Sequence, residues 1–277
     1  MEIQVFELGR TNNLKIKKID EKGAWLASEL GPVLLPDQEC PADLKLDERI
    51  VVFVYKDAAD SLVATLQRPK AQVGEFALLQ AKQVGKFGAF LDWGLSKDLL
   101  VPYAEQNEKM QEGRSYLIKV CRDNQGRVVG TAKIDRCLET EKIELKQGDE
   151  VELIIWKFTE LGAKVIVNNL HEALLYRDQV GSGLKRGDHL KGYVARIRED
   201  KKIDVSLRKS GAEGAVSAKN VIMAALEKTG SLPLHDQSSP ADIQKALGLS
   251  KKVFKKALGG LYKEGLIEMK ADGIRLK

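Results

Sequence analysis

Short apolar runs, separated by Gly, Asn and Asp, recur along the first two thirds of the chain. In the clearest region they predict five strands, which lie at 77–84, 88–92, 99–102, 116–121 and 127–133. Five short strands in about 60–65 residues are too few for an immunoglobulin-like sandwich and favour a small five-stranded barrel. This pattern therefore predicts an all-β module.

Two short blocks recur in the same order three times. The first block reads Gly-Ala-Trp-Leu at 23–26, Gly-Ala-Phe-Leu at 88–91 and Gly-Ala-Lys-Val at 162–165. The second is a loop of the type Leu-Lys-x-Gly-Asp-x-Leu, with close variants at 44–50, 110–116 and 184–190. An internal repeat of this kind indicates one fold used three times.

The C-terminal part of the chain changes to helical spacing. Apolar periodicity predicts helices at 218–229, at 241–247 and from 251 onwards, followed by two strands within 266–277. Ser239-Pro240 and Gly248 bound the second helix, Ser250 caps the third, and Gly265 ends it. Three helices and a β-hairpin predict a winged helix, joined to the third module by a small-residue linker at 211–215.

Two stretches carry a family resemblance. Residues 86–92 read Lys-Phe-Gly-Ala-Phe-Leu-Asp, and residues 203–209 read Ile-Asp-Val-Ser-Leu-Arg-Lys. Both resemble the S1 RNA-binding domain, a member of the OB-fold class. The chain departs from that pattern at the family's histidine position, which holds Pro36, Pro102 and Tyr176, and at the first loop glycine, which is Asp47.

Three S1-like modules followed by a winged helix resemble the conserved virulence factor B family of bacterial RNA-binding regulators. The resemblance implies RNA binding linked to post-transcriptional regulation. The fold class is accordingly expected to be mainly β with α, comprising three tandem OB-fold, S1-like five-stranded barrels and an α/β winged-helix domain. The expected boundaries are 1–68, 69–146 with a linker, 147–210 and 217–277.

The net charge of +5 is unevenly distributed. Residues 1–68 are net acidic, residues 69–150 are neutral, and the excess of Lys and Arg falls in 151–210 and 217–277. A polyanion should therefore bind the C-terminal half first. The acidic first module is expected to be structural, because phosphate repulsion should outweigh the single Trp25 there.

Motifs for catalysis are missing from the sequence. The three histidines and three cysteines show no metal-ligand spacing, and no P-loop, dinucleotide fingerprint or nucleophile elbow occurs. We expect a chain that is not an enzyme and uses no cofactor or metal. No apolar run approaches the roughly 20 residues of a membrane span and no signal peptide is evident, so the expected location is cytoplasmic, with no membrane or small-molecule partner.

Single-stranded RNA is the expected partner, because a barrel face can stack bases on exposed aromatic rings and hold phosphates with Lys and Arg. The stacking candidates are Phe87, Phe90 and Tyr103 in the second module, and Phe158 and Tyr176 in the third. The phosphate candidates are Lys86, Arg127, Lys133, Arg196, Arg198, Lys201, Lys202 and Arg208, with Lys251, Lys252, Lys255 and Lys256 on the third helix of the tail.

Alternatives remain for each group. An aromatic ring among the candidates can belong to a barrel core, and the four lysines of the tail helix can enter a DNA groove or form a solvated surface. At the level of the whole chain, the rivals are a winged-helix DNA-binding transcription regulator and a ribosome-associated or protein-interaction scaffold.

Overall fold

The five-stranded barrel predicted from the apolar runs occurs three times in the computed structural model. The structure describes residues 6–57, 59–181, 183–209, 212–270 and 273–277, and the side chains of 212–217 are outside the description. The chain divides into two compact units. One comprises residues 1–143, 152–172 and 181–189, and the other comprises residues 144–151, 173–180 and 190–277.

The first barrel is closed, with strand order β1-β2-β3-β5-β4. Its strands are β1 (Thr11–Asp20), β2 (Gly23–Ser28), β3 (Gly31–Pro36), β4 (Arg49–Lys56) and β5 (Leu62–Thr65). The second has the order β10-β9-β6-β7-β8, with β6 (Phe76–Val84), β7 (Gly88–Asp92), β8 (Leu99–Pro102), β9 (Ser115–Arg122) and β10 (Val128–Thr131).

The third barrel is closed in the order β11-β12-β13-β15-β14. Its strands are β11 (Glu150–Thr159), β12 (Gly162–Val167), β13 (His171–Tyr176), β14 (His189–Ile197) and β15 (Ile203–Ser206). The predicted fold class, mainly β with three five-stranded barrels and a winged helix, is confirmed.

The tail contains α1 (Ala212–Thr229), β16 (Ser231–Leu232), α2 (Pro240–Leu247), α3 (Lys251–Lys263), β17 (Ile267–Lys270) and β18 (Gly273–Leu276). The predicted caps are present: the Ser239 hydroxyl accepts from Asp242 N, the Ser250 hydroxyl accepts from Val253 N, and Gly248 is left-handed with φ 65°. Within the described residues, no helix has the length and apolar character needed to cross a membrane.

One expectation for the tail was wrong, and one strand was not predicted. Helix α1 begins at Ala212, so most of the segment expected as a linker is helical, and Gly211 lies outside the described residues. The strand β16 was not predicted, because two residues carry no periodicity. It pairs antiparallel with β18 and completes a three-stranded sheet.

A backbone clamp joins the first strand of each barrel to the loop before its fourth strand in the same way. The first strand has a β-bulge, at Ile16/Lys18 in β1, at Ala81/Gln83 in β6 and at Ile155/Lys157 in β11. A loop residue with positive φ then donates its N–H to the strand at the bulge. These bonds are Asp47 to Ile16 O (2.9 Å), Gly113 to Ala81 O (2.8 Å) and Gly187 to Ile155 O (2.8 Å).

The substitution of Asp47 for glycine is accommodated in this clamp. Asp47 has a φ of 65°, close to the 79° of Gly113 and the 87° of Gly187. Asp is among the few non-glycine residues that adopt this conformation readily. Its carboxylate lies 2.9 Å from Lys15 Nζ and 3.7 Å from Lys17 Nζ, and the hydrogen bond from Lys15 lowers the pKa of Asp47.

The glycine that opens the repeated Gly-Ala block begins the second strand of every barrel. Gly23, Gly88 and Gly162 have φ values of 128°, 155° and 147°. A Cβ on Gly88 would lie 2.1 Å from Val101 O, and one on Gly23 would lie 2.1 Å from Leu35 O. In the first and second barrels the third strand therefore passes too close for a side chain at this position.

Within the first unit, the barrels share apolar contacts. Phe53 of β4 is only 2% exposed and belongs to the core cluster of the second barrel. Its ring meets Trp93 edge-on at a centroid distance of 5.6 Å. A further cluster joins Phe76 and Leu117 of the second barrel to residues of β11 and β12, including Trp156. The outer faces of these strands are thus used for packing.

We predict that Gly88→Ala lowers the free energy of unfolding by at least about 2 kcal/mol, because its Cβ would overlap backbone that cannot move aside. Gly113→Ala is the matched control, since it has positive φ but no heavy atom within 4 Å of its Cβ position. It should cost only about 1 kcal/mol. Urea unfolding followed by circular dichroism measures both, and equal losses would contradict the steric role of Gly88.

Candidate nucleic-acid interface

The outer surface of β7 and β8 in the second barrel is apolar. Ala89 and Leu91 face the core, so Phe90 faces outward and is half-buried. It pairs across the sheet with Leu100, which is also half-buried. Sequence reasoning missed Leu100, although the alternation within Leu99-Leu100-Val101-Pro102 marks it as the outward residue.

The turn between β6 and β7 presents the most exposed ring of the second barrel. Phe87 is 68% exposed, and Lys86 Nζ lies 5.8 Å from the centroid of its ring. Tyr103 is 42% exposed and holds this turn in two ways. Its hydroxyl donates to Gly85 O at 2.8 Å, and its N–H donates to Phe87 O at 3.2 Å.

These apolar side chains form one surface, which we call the aromatic face, made of Phe87, Phe90, Leu100 and Tyr103. Gly85 lies at its centre, because its carbonyl accepts from Tyr103 and a Cβ there would come within 3.1 Å of the Phe90 ring. The structure thus brings together the three predicted stacking residues of the second barrel. A flat ring needs such an open approach to stack on a base.

The charges beside the aromatic face are largely paired within the barrel. The Lys82 ammonium lies 2.9 Å from Asp98 and 3.7 Å from Asp92, and the hydrogen bond to Asp98 raises the pKa of Lys82. The hydrogen bond from Lys70 lowers the pKa of Asp92. Because these charges offset one another, exposed aromatic rings rather than net charge distinguish this surface.

The predicted phosphate partners of the second barrel differ in exposure. Lys86 is exposed and lies beside the Phe87 ring. Arg127 is exposed at the hairpin after β9, where Asp123 pairs with it at 2.7 Å. Lys133 is half-buried and follows β10. Of the three, Lys86 is the one placed at the aromatic face by its own contact.

Among the described residues of the first barrel, no ring is as open as that of Phe87. Trp25 occupies the position of Phe90 and is half-buried, and its indole N–H donates to Asp20 at 2.9 Å. Lys18 pairs with the same carboxylate at 2.7 Å, and this hydrogen bond lowers the pKa of Asp20. Trp25 is therefore hydrogen-bonded to an acidic group within its own barrel.

The strands β11 and β12 of the third barrel lie mostly in the first unit. They carry a charged residue where the second barrel has the aromatic face. Lys164 stands at the position of Phe90, forms an ion pair with Glu172 and lies 5.7 Å from the Trp156 ring. Phe158 is 49% exposed and Leu161 is 67% exposed, both next to the turn between β11 and β12. Of these, only Phe158 offers an exposed ring for stacking.

In the second unit, Arg198 and Tyr176 hold each other in place. Arg198 donates to both carboxylate oxygens of the buried Asp204, at 2.6 and 3.0 Å, and to the Tyr176 hydroxyl at 2.6 Å. Sequence reasoning assigned both residues to RNA, whereas the structure shows that each already has a partner within the barrel. The sequence contains no signal for this pairing, because Tyr176 and Asp204 lie far apart along the chain.

The remaining basic candidates of the third barrel lie around its last hairpin. Arg196 is exposed on β14, Lys201 has a φ of 61° at the turn, and Lys202 pairs with Asp200 at 2.8 Å. Arg208 is exposed and lies 3.1 Å from the side-chain amide of Gln244 on α2. Arg196 and Arg208 are thus the exposed arginines of this group.

The lysines of α3 lie on its solvent side, as predicted. Phe254, Leu258 and Leu261 are buried, whereas Lys252, Lys255 and Lys256 are exposed. Val253, expected in the apolar stripe, is 37% exposed and lies at its edge.

Two of the four predicted lysines have local partners. Lys251 is half-buried and donates to Gln237 O at 3.3 Å, and Lys255 lies 3.9 Å from Asp236. Lys252 and Lys256 have no acidic partner within 4 Å among the residues that the structure describes. Their full charge is therefore available to a ligand.

Family models match both ends of this architecture. An S1 domain model matches residues 8–67, and a CvfB-like winged helix domain model matches residues 220–276. The resemblance to the conserved virulence factor B family is confirmed. The S1 match falls on the acidic first barrel, so the family pattern is retained there even though its aromatic positions have changed. It supports nucleic-acid binding as the class of function.

Similar proteins align with most of this chain. YitL of Bacillus subtilis is 26% identical over 271 residues, covering 94% of this chain and 90% of that protein. Conserved virulence factor B of Staphylococcus epidermidis is 25% identical over 244 residues, covering 84% and 82%. A solved multidomain protein with nucleic acid binding domains, from Streptococcus pneumoniae, is 24% identical over 98% of both chains, with a TM-score of 0.41.

We predict that Arg198→Ala lowers the denaturant midpoint of unfolding, because it leaves the buried Asp204 carboxylate without its bidentate partner. Arg196→Ala removes the same charge from a neighbouring exposed position and should leave the midpoint unchanged. Guanidinium unfolding of the two variants makes the comparison. Equal midpoints would contradict a structural role for Arg198.

Proposed function

We propose that this chain binds single-stranded RNA with little sequence specificity and acts in post-transcriptional regulation of gene expression. The observation that carries the proposal is the aromatic face of the second barrel, above all the 68% exposure of Phe87. The proposal assigns no catalytic step to the chain and places it in the cytoplasm, where transcripts are translated. The similarity to the conserved virulence factor B family supports a regulatory role.

Stacking explains why the binding should tolerate many sequences. Every base has a π-face, so a ring such as Phe87 gains contact with any of the four, at roughly 1–3 kcal/mol per base. Single strands expose those faces, whereas a duplex keeps them inside the stack. The aromatic face contains no fork of hydrogen-bond donors for reading base edges. It therefore favours a single strand over a duplex.

Phosphate contacts supply the second part of the affinity. Lys86 beside Phe87, Arg196 on β14, and Lys252 and Lys256 on α3 are basic candidates that are exposed to solvent. Lysine and arginine that neutralise phosphates release counterions, so the affinity falls steeply as salt rises. These contacts position the strand without reading it.

The exposed lysines of α3 also favour a second candidate, binding of duplex DNA by the winged helix. Helix α3 contains no Arg, Asn or Gln, the side chains that pair with base edges in the major groove. Any DNA binding by this helix should therefore be insensitive to sequence. Competition between single-stranded RNA and duplex DNA of equal length separates the two candidates: displacement by DNA at equal concentration would favour DNA.

We predict that Phe87→Ala weakens binding to single-stranded RNA about tenfold, which is the loss expected for one stacked base. The slope of affinity against salt should stay the same, because no charge is removed. Fluorescence anisotropy with a labelled oligonucleotide at several salt concentrations measures both quantities.

Leu161→Ala is the matched control for this variant, since Leu161 occupies the corresponding position in the third barrel and is 67% exposed. It should bind like the parent chain. Phe87→Trp should retain the affinity because it keeps a ring. Undiminished binding by Phe87→Ala would show that the second barrel does not stack a base at this position.

A separate prediction concerns charge on the winged helix. Replacing Lys252 and Lys256 with Gln should reduce the slope of log affinity against log salt by about 1.4, at about 0.7 per phosphate contact on a single strand. Replacing Lys15 and Lys17, which pair with Asp47 in the acidic first barrel, removes the same charge and should leave the slope unchanged. An unaltered slope in the first variant would assign these lysines to a solvated surface.

A further inference from the structure

Helix α3 contains two adjacent glycines in its interior, at 259 and 260. Glycine is the poorest helix former after proline, so each position weakens the helix unless something requires the missing side chain. Both residues have ordinary helical φ, since neither is among the positive-φ glycines. The backbone conformation therefore does not explain them.

Of the two glycines, only Gly260 has a heavy atom close to its Cβ position, and that atom belongs to the flexible end of a lysine side chain. A Cβ on Gly260 would lie 2.4 Å from Cε of Lys219, whose ammonium pairs with Glu264 across the α1–α3 contact. A Cβ on Gly259 would meet no heavy atom within 4 Å, and Gly259 is exposed. The fold of the described residues gives no reason for glycine at 259.

The position of Gly259 on the helix is informative. At about 100° per residue, four residues of α3 share a stripe about 60° wide. They are Lys252, Lys256, Gly259 and Lys263. The buried residues Phe254, Leu258 and Leu261 lie on the opposite side, and the three lysines of the stripe are exposed. Gly259 is thus an opening without a side chain between lysines one turn before and one turn after it.

We propose that this stripe holds the sugar–phosphate backbone of a nucleic-acid strand in van der Waals contact with α3 at Gly259. Lys256 and Lys263 flank the contact and neutralise phosphates on either side of it. Glycine in such a position lets another chain approach the helix backbone more closely than any other residue allows. The inference rests on the proposed RNA binding and adds the place and closeness of the contact on the winged helix.

This arrangement makes stability and affinity change in opposite directions. In the full-length chain, Gly259→Ala and Gly259→Leu should both strengthen α3, since each is a better helix former, and should slow amide hydrogen exchange in that helix. The affinity for a labelled single-stranded RNA should nevertheless fall, by at least about threefold for Ala and about tenfold or more for Leu. The graded loss follows from the size of the side chain that blocks the strand.

Asn220→Ala on α1 is the matched control. Asn220 is exposed, and the substitution improves helix propensity without touching the stripe. It should leave RNA affinity unchanged, which separates a steric block from a general effect of helix stability. Lys15→Gln in the first barrel provides a second reference that should bind RNA like the parent.

The possible outcomes are distinct. If the parent chain binds RNA and both Gly259 variants bind equally well, the close contact at Gly259 is refuted while the proposed function stands. If the variants lose affinity for duplex DNA but not for single-stranded RNA, the stripe is a DNA surface and the RNA assignment is overturned. If the parent chain binds no single-stranded RNA at low salt, the proposed function fails and this inference fails with it.

Discussion

The backbone clamp at the bulge of each first strand is the constraint on which the three barrels depend. A loop residue with positive φ donates to Ile16, Ala81 or Ile155, and the same strand residue donates back to the loop at 2.8–2.9 Å. The bulge bends the strand so that it can take part in closing the barrel. A glycine at the start of the second strand lets the third strand pass within contact distance. These are backbone requirements, and they leave the outward side chains free to differ.

The three barrels differ at those outward positions. The position of Phe90 holds Trp25 in the first barrel and Lys164 in the third, and each of these is engaged by a carboxylate. In the second barrel the ring faces Leu100 instead, so the surface stays apolar. Phe53 of the first barrel packs into the core of the second, whereas the second barrel keeps the aromatic face to which the proposed function assigns binding.

The winged helix exposes lysine side chains on α3, whereas the second barrel exposes aromatic rings. Its core residues occupy one side of α3, and the lysines on the other side include two without acidic partners among the described residues. Lysine supplies a point charge rather than a fork of donors, which suits a phosphate backbone. In the proposed function, stacking and phosphate neutralisation act together, and binding of that kind is salt-dependent and tolerant of sequence.

Much of this architecture was predictable from local sequence. The strands of the second barrel, the caps at Ser239, Ser250 and Gly248, and the three-fold repeat depend on residues close together in the chain, so periodicity and turn chemistry reveal them. The start of α1 was missed because a segment rich in Ala and Gly suits a helix and a linker equally well. Phe87 was predicted as a stacking residue with a core position as the alternative, and the structure places it 68% exposed.

Only the tertiary structure decided which candidate side chains are free to bind. Arg198 is held by Asp204 and Tyr176, Lys164 by Glu172, and Trp25 by Asp20. Some of these partners are distant in sequence. Even where the partner is close in sequence, the strands must align before the hydrogen bond or ion pair can form. Sequence by itself determined the fold, because the backbone clamp needs particular residue types at particular spacings. Whether a candidate side chain is available for binding depends on the residues beside it on neighbouring strands. Those neighbours are determined only when the strands pair in the folded barrel.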